Sequence, residues 1–477
     1  MGQMYDIKDL ELWDEHIFEA VQKFGLSCFP QEFEICDHHG MLTYMAYSGM
    51  PSHYPHWSYG KAYEKLKTLY DHGVSGLPYE MVINADPSLA YLMKDNSLLL
   101  QILTTAHVYA HNDFFRNNAT FRSTRAEYTI LMFKAHATRI RNYMEDPSIG
   151  LDLVEPFLDA AHALSLQCRR NLAIRKRSPE ELRQSVLDAA RPREDPFHAI
   201  HKRAEYIEPD LKQVPLEPDE DVLLFIRDHN PFLEDWQKDI LTIVHEEAQY
   251  FIPQIETKIM NEGWASYWHK RILESLDLPD DLRLEFIARH SQVVQPHIGR
   301  INPYHLGLKI WEDIVRRYDD PTPEEAEELA PNHPNGLQKI FEVRETDRDV
   351  SFLRRHLTEN LIRELDLFEY APHDDNWVVS SVADEDGWKS VKSTLLQNVG
   401  MNTVPVIKVH DADYGGNRTL YLVHEHDGRD LEPEYAGKTV RYISMLWGNP
   451  VALETMLDGN RTRFGYSNAE GLSLHGA

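Results

Sequence analysis

Leu10, Trp13, Ile17, Ala20, Val21 and Phe24 follow one another at intervals dominated by three and four residues, and the same spacing of apolar residues returns through 124–146 and 152–170. A chain with this period must bury one stripe of each helix, so a packed helical fold is expected over most of its length. Residues 1–30 read as one such helix, with Gly25 near its end. With 477 residues the chain exceeds a single typical core, and two or three domains are expected. Apolar residues at 42% and charged residues at 26% describe an ordered globular protein.

The helical pattern is interrupted once early and once late. "YEMVINADPSLAYLM" starts at Tyr79 as a β-prone run and breaks at Asp86-Pro87; a helix from about Asn96 then carries "AHVYAHNDFF". "FLEDWQKDILTIVHEEAQYF" is helical again, and after Pro253 a further helix holds "MNEGWASYWHKRILESL". "RINPYHLGLKIWEDIVRRYDD" and one helix through "DVSFLRRHLTENLIRELDL" complete a large domain near residue 365. Beyond it "NWVVSSV", "VPVIKVHDAD" and "TLYLVHEHDG" are strand-like, with helices at "WKSVKSTLLQNVG" and "GKTVRYISMLWG". The expected fold is therefore mainly α with a short sheet over 1–365, followed by a small C-terminal α+β module over 366–477 whose last residues fray. The charged, Pro-rich stretch 175–221 reads as a surface excursion without catalytic groups.

Charge excludes several function classes. The net charge of −28, from 77 acidic and 49 basic residues, opposes binding to nucleic acid or to an anionic membrane surface. The acidic start lacks the basic n-region of a signal peptide, and no apolar run reaches the ~18 residues that a membrane span needs, so a cytoplasmic protein is expected. Asp6 stands where a myristoylation motif wants Ser or Thr. Three scattered cysteines, Cys28, Cys36 and Cys168, suit a reducing compartment and offer no zinc ribbon. A metal here would have to rely on His and carboxylate.

His107 and His111, four apart on a helix, lie on one face, which is the geometry that grips a cation. Glu262 offers a third ligand, and His269, seven residues on, shares its face. Two His and one Glu make a catalytic zinc set with an open position for water. The alternative is a hydrogen-bonded core His pair and a solvated carboxylate. The H-E-x-x-H motif carries its general base at the position held here by Val108. Glu247 is therefore the candidate base, and Glu246 and His269 are extra ligands of a two-metal variant. Tyr304, in "INPYHLG", is a candidate oxyanion donor, or else an aromatic residue at a helix entry. His53, His56 and Lys61, in "PSHYPHWSYGK", are candidates for binding a carboxylate-bearing substrate, or else parts of a packed aromatic loop. "YEMVIN" could pair as an edge strand with an extended substrate, with Tyr79 at its start. There is no P-loop, no G-x-G-x-x-G before a helix and no G-x-S-x-G elbow.

The stretches from "MAYSGMPSHYPHW" to "AHVYAHNDFF", "DILTIVHEEAQYFIPQIETKIMNEGWASYWH" and "INPYHLG" resemble the SpoVR family, the stage V sporulation protein R-like proteins. The resemblance covers most of 1–365 and continues weakly through "GRDLEPEYA" and "LWGNPV". It implies a link with spore cortex formation or a stress response, and a serine protein kinase of the PrkA type as a partner. A more distant similarity joins the His pair, and Glu262 followed by Gly263, Trp264, Ala265, Ser266 and Tyr267, to gluzincin-type metallopeptidases. That similarity implies a zincin-like α+β arrangement and zinc, one ion, held by His107, His111 and Glu262. The expected function is a metal-dependent hydrolase of amide or peptide bonds, acting on cell-wall-related peptide material. The rival is a non-catalytic, metal-stabilised scaffold working with the kinase.

Overall fold

The computed structural model describes residues 5–74, 76–170, 175–191, 208–296, 301–367, 369–373, 376–381 and 387–476. In chain order, α1 (Ile7–Lys23), β1 (Gln31–Cys36), α2 (His38–Ala46), α3 (Trp57–Asp71), β2 (Glu80–Ile83), β3 (Ser88–Met93) and α4 (Leu98–Asn117) lead into five further helices. These are α5 (Thr129–Glu145), α6 (Leu151–Ala163), α7 (Pro179–Ala190), α8 (Val222–His229) and α9 (Asp235–Glu256). Then come α10 (Lys258–Ser275), α11 (Asp280–Val293), α12 (Pro303–Asp319), α13 (Pro323–Glu328), α14 (Gly336–Thr346), α15 (Asp349–His356) and α16 (Glu359–Glu364). The hairpin β4–β5 (Glu369–His373, Asn376–Ser381) precedes α17 (Gly387–Gln397). The chain closes with β6 (Ile407–Tyr414), β7 (Thr419–His424), α18 (Pro433–Trp447), β8 (Val451–Leu457), β9 (Asn460–Ser467) and β10 (Gly471–Gly476).

These elements sort into two compact units, each built from two stretches of chain. One joins Met1–Arg141 to Tyr250–Thr403, and the other joins Asn142–Gln249 to Val404–Ala477. In the first unit α4 and α10 are buried nearly all round, which places them at the centre of the helical packing. Around them α1, α12 and α14 turn one apolar face inward, and Trp264, Trp268, Trp311, Phe114 and Phe352 fill the space between. The N-terminus of α1 is closed by the Asp6/Asp9 capping box, and the chain leaves the helix at Gly25 with φ +80°. A three-stranded sheet of order β1-β3-β2 lies beside α4. β1 runs parallel to β3 and β2 antiparallel to it, leaving β2 at an edge. In the second unit the sheet order is β10-β9-β8-β7-β6, with α18 against β8 and β9.

Several expectations need correction. The run after Asp86-Pro87 does not stop being extended but forms β3, paired on both sides. Pro253 does not separate two helices, because α9 continues through it to Glu256 and breaks only at Thr257. The helix expected through "DVSFLRRHLTENLIRELDL" is split, with Thr358 restarting the chain as the N-cap of α16. The last residues are not frayed, since β10 pairs in register with β9 from Gly471↔Ser467 to Gly476↔Thr462. Within the charged stretch, α7 is a capped helix and Asp219 bridges to Val409; residues 192–207 lie outside the described residues. Among the described residues no helix is long and apolar enough to cross a membrane.

Candidate metal centre

Ser97 caps α4, its Oγ accepting from the Leu100 amide, and the helix then delivers His107 and His111 to one interior face. The start of α10 has no cap of its own. Asp349 supplies one from α15, its two carboxylate oxygens each accepting a backbone N–H, from Ile259 and Met260, at 2.9 Å. One turn later α10 presents Glu262 toward the two histidines.

What brings α10 and α12 close is an absence of side chains. A Cβ on Gly263 would stand 2.3 Å from the Gly307 carbonyl carbon, and one on Gly307 would stand 2.2 Å from the Ile259 oxygen. The backbones of α10 and α12 therefore touch directly beside Glu262, and Tyr304, one turn before Gly307, is drawn in with them. On the other flank Asp113 pairs with Arg344 at 2.7 Å and accepts from the Trp264 indole at 3.0 Å. The residues after His111 and after Glu262 are thus locked to a shared buried ion pair.

His107, His111 and Glu262 are all buried, and their candidate ligand atoms lie within 4.8 Å of one another. Glu262 Oε2 stands 3.5 Å from His111 Nε2 and 3.7 Å from His107 Nε2. It is buried and has no hydrogen-bond partner among the described residues. The other oxygen, Oε1, accepts from Lys258 Nζ at 2.5 Å. Both imidazoles are held from behind through Nδ1, His107 by His269 Nδ1 and His111 by Asn261 Oδ1, each at 2.9 Å. An orphaned carboxylate oxygen facing two Nε2 atoms whose rings are oriented from the rear fits a tetrahedral cation with one position open.

The electrostatics agree with that fit. Burial opposes the charge of Glu262, but the Lys258 ammonium and the two imidazoles outweigh it and hold the carboxyl well below the usual range. Burial, aided by His111, pushes His107 down to about 4, so its ring is neutral near pH 7. Glu80 on β2 reaches within 3.9 Å of His107 Nε2, and burial raises its carboxyl to about 7 against the pull of His111. The Tyr304 ring centroid lies 6.1 Å from that of His107, and the Glu262 charge, with burial, raises its phenol. The site thus holds one firmly ionised carboxylate, one poised carboxyl and one phenol that keeps its proton.

The other candidates have surroundings of their own. His269 uses both ring nitrogens, Nδ1 toward His107 and Nε2 toward His290 Nδ1 at 2.8 Å, and so sits behind the cluster. Glu246 and Glu247 belong to the second unit, on the part of α9 before Tyr250. His53 packs against Tyr54 and Tyr59, His56 caps α3 through Ser58, and Lys61 lies over the Trp57 ring. Tyr79 accepts through its carbonyl from Met93 and Asn96 at the approach to β2. Val108 is fully buried.

Sequence reasoning missed Glu80, Lys258, Asn261 and His290. Lys258 alone carried a signal, its i to i+4 spacing to Glu262.

The chain matches the family described as SpoVR like protein over residues 4–404, and the one described as SpoVR-like C-terminal domain over residues 405–458. It is 32% identical over 481 residues to the uncharacterized protein YcgB of Escherichia coli (strain K12), spanning 94% of this chain and 92% of that protein. No solved structure matches it.

Proposed function

This chain belongs to the SpoVR family, and we propose that its first unit is a metal-dependent hydrolase of amide or peptide bonds. The observation that carries the reading is Glu262 Oε2, buried without a hydrogen-bond partner among the described residues and faced by two imidazole Nε2 atoms at 3.5 and 3.7 Å. Two imidazoles and one carboxylate suit zinc better than the hard cations, which favour all-oxygen shells. Zinc held by His107, His111 and Glu262 would polarise a carbonyl and supply a water acidic enough to ionise near neutral pH.

The chain's own groups supply the rest of the chemistry. Glu80, rather than Glu247, takes the base role that Val108 leaves vacant, since its carboxylate reaches within 3.9 Å of His107 Nε2. Tyr304 keeps its proton and can donate a hydrogen bond to a developing oxyanion. The free edge of β2, entered from Tyr79, offers backbone groups to an extended peptide-like substrate. Cell-wall-related peptide fragments fit this class.

The second reading is a metal-stabilised scaffold working with a PrkA-type kinase, and it is favoured by the burial of Val108 where the related motif has its base. Elemental analysis should find about one equivalent of zinc, abolished by His107→Ala/His111→Ala. A strain lacking the gene, complemented with Glu262→Gln, should accumulate an uncleaved amide or peptide that wild type removes. Full rescue without any such compound would leave the scaffold and remove the hydrolase.

A further inference from the structure

The geometry points to His269 and His290 as positioning residues that fix the tautomer of His107, so that its Nε2 is left bare toward the cation. This inference rests on the metal reading above. The three rings form a line: His107 Nδ1 to His269 Nδ1 at 2.9 Å, then His269 Nε2 to His290 Nδ1 at 2.8 Å. His107 and His269 are buried, and His290 on α11 is the outer end.

Each contact joins two ring nitrogens, so one must donate and the other accept. In neutral rings one choice then sets all three. If His107 carries its proton on Nδ1, it donates to His269 Nδ1. His269 must then hold its own proton on Nε2 and donate to His290 Nδ1, leaving the His290 proton on Nε2. In the reverse order His290 donates inward from Nδ1, His269 donates from Nδ1 to His107, and the His107 proton is forced onto Nε2. That proton would occupy the lone pair that the metal needs. The relay therefore has two orders, one competent for binding and one not, and a cation on Nε2 selects the first.

Neutral rings are the favoured state here, because His107 and His269 are buried and an imidazolium there would give up its hydration. His111 differs, because its Nδ1 faces the Asn261 amide oxygen, which only accepts. One ligand of the pair is fixed by an amide and the other by a line of imidazoles.

The test uses the full chain and Zn2+ alone, titrated in competition with a chromophoric chelator. Wild type should bind about one equivalent. His269→Leu should bind 10–100-fold more weakly, the usual scale for loss of an orienting partner, while metal-free melting stays unchanged. His269→Gln, whose amide oxygen can accept from His107 Nδ1, should recover most of the affinity. A purely packing role would instead favour Leu over Gln. His290→Leu, at the less buried end, gives a smaller loss in the same direction and serves if His269→Leu does not fold. Nitrogen-15 histidine spectra of the zinc-loaded protein should show His269 protonated on Nε2. Equal affinity in wild type and the Leu variants, or a His269 proton on Nδ1, overturns the relay and leaves the metal site standing. Failure of wild type to take up zinc overturns both.

Discussion

Glu80 and Glu262 both approach His107 Nε2, yet their surroundings drive them apart. Glu262 is stabilised as an anion by Lys258 and the imidazoles, whereas Glu80 is pushed up to about 7 by burial. Environments that separate two carboxyls in this way assign them different work. Glu80→Gln should keep zinc at about one equivalent but lower kcat roughly 10²–10⁴-fold, the usual contribution of a positioned base. Glu262→Gln should lose zinc first and activity as a consequence. Metal analysis and turnover, measured on the same preparations, separate the two roles; loss of zinc in both variants would make Glu80 a ligand instead. Tyr304→Phe should retain zinc and lower turnover roughly 10²–10³-fold if the phenol serves the oxyanion. His107 and His111 could be paired from the sequence because helical spacing encodes which side chains share a face, whereas Glu262, on a separate helix, was singled out by the Gly-Trp-Ala-Ser-Tyr run that follows it. Glu80 could not, because a carboxylate on a strand becomes a neighbour of a helix only when the sheet packs against it.

Gly263 and Gly307 hold the site at the level of elements. Adding a methyl to either places carbon within 2.4 Å of backbone on the facing helix, where no flexible side chain can move aside. Gly263→Ala or Gly307→Ala should therefore destabilise the protein by at least ~1–3 kcal/mol, seen as a fall in melting temperature, with weaker zinc binding as α12 is forced off α10. Gly60 is the control. It lies inside α3 with nothing within 4 Å of its missing Cβ, so Gly60→Ala should be neutral or stabilising by up to about 1 kcal/mol. Equal effects at Gly60 and Gly263 would refute the contact. Element type was readable wherever the apolar period was clean, as in α1 and α12. It failed where a local signal was overruled. Pro253 is carried inside α9, while β1 is a half-exposed six-residue strand whose pairing with β3 spans more than fifty residues of chain.

At the scale of the whole molecule, the chain leaves the first unit after Arg141, builds part of the second, and returns at Tyr250. The candidate ligands His107, His111 and Glu262 all belong to the first unit, so stability linked to a bound metal should be confined there. Calorimetry with and without a chelator should move one transition and leave any transition of the second unit in place; a uniform shift of both would argue that they melt as one block. Arg344→Met removes the ion-pair partner of Asp113, a fully buried carboxylate, and should cost about 3–5 kcal/mol in the first unit.

By itself the sequence determined what short-range periodicity can encode: helices where apolar residues recur at three and four, a break at Asp86-Pro87, a strand-rich C-terminal stretch, and two histidines sharing one helix face. It also carried the motifs by which the chain resembles, and is found to belong to, the SpoVR family. Only the tertiary structure decided which distant segments meet. It set Glu80 beside His107, joined His269 to His290, and let two glycines bring α10 against α12. The physical reason is that spacing along a helix fixes direction but not distance to another element. Those distances are settled by packing, by buried polar groups finding partners, and by where a missing side chain lets two backbones touch.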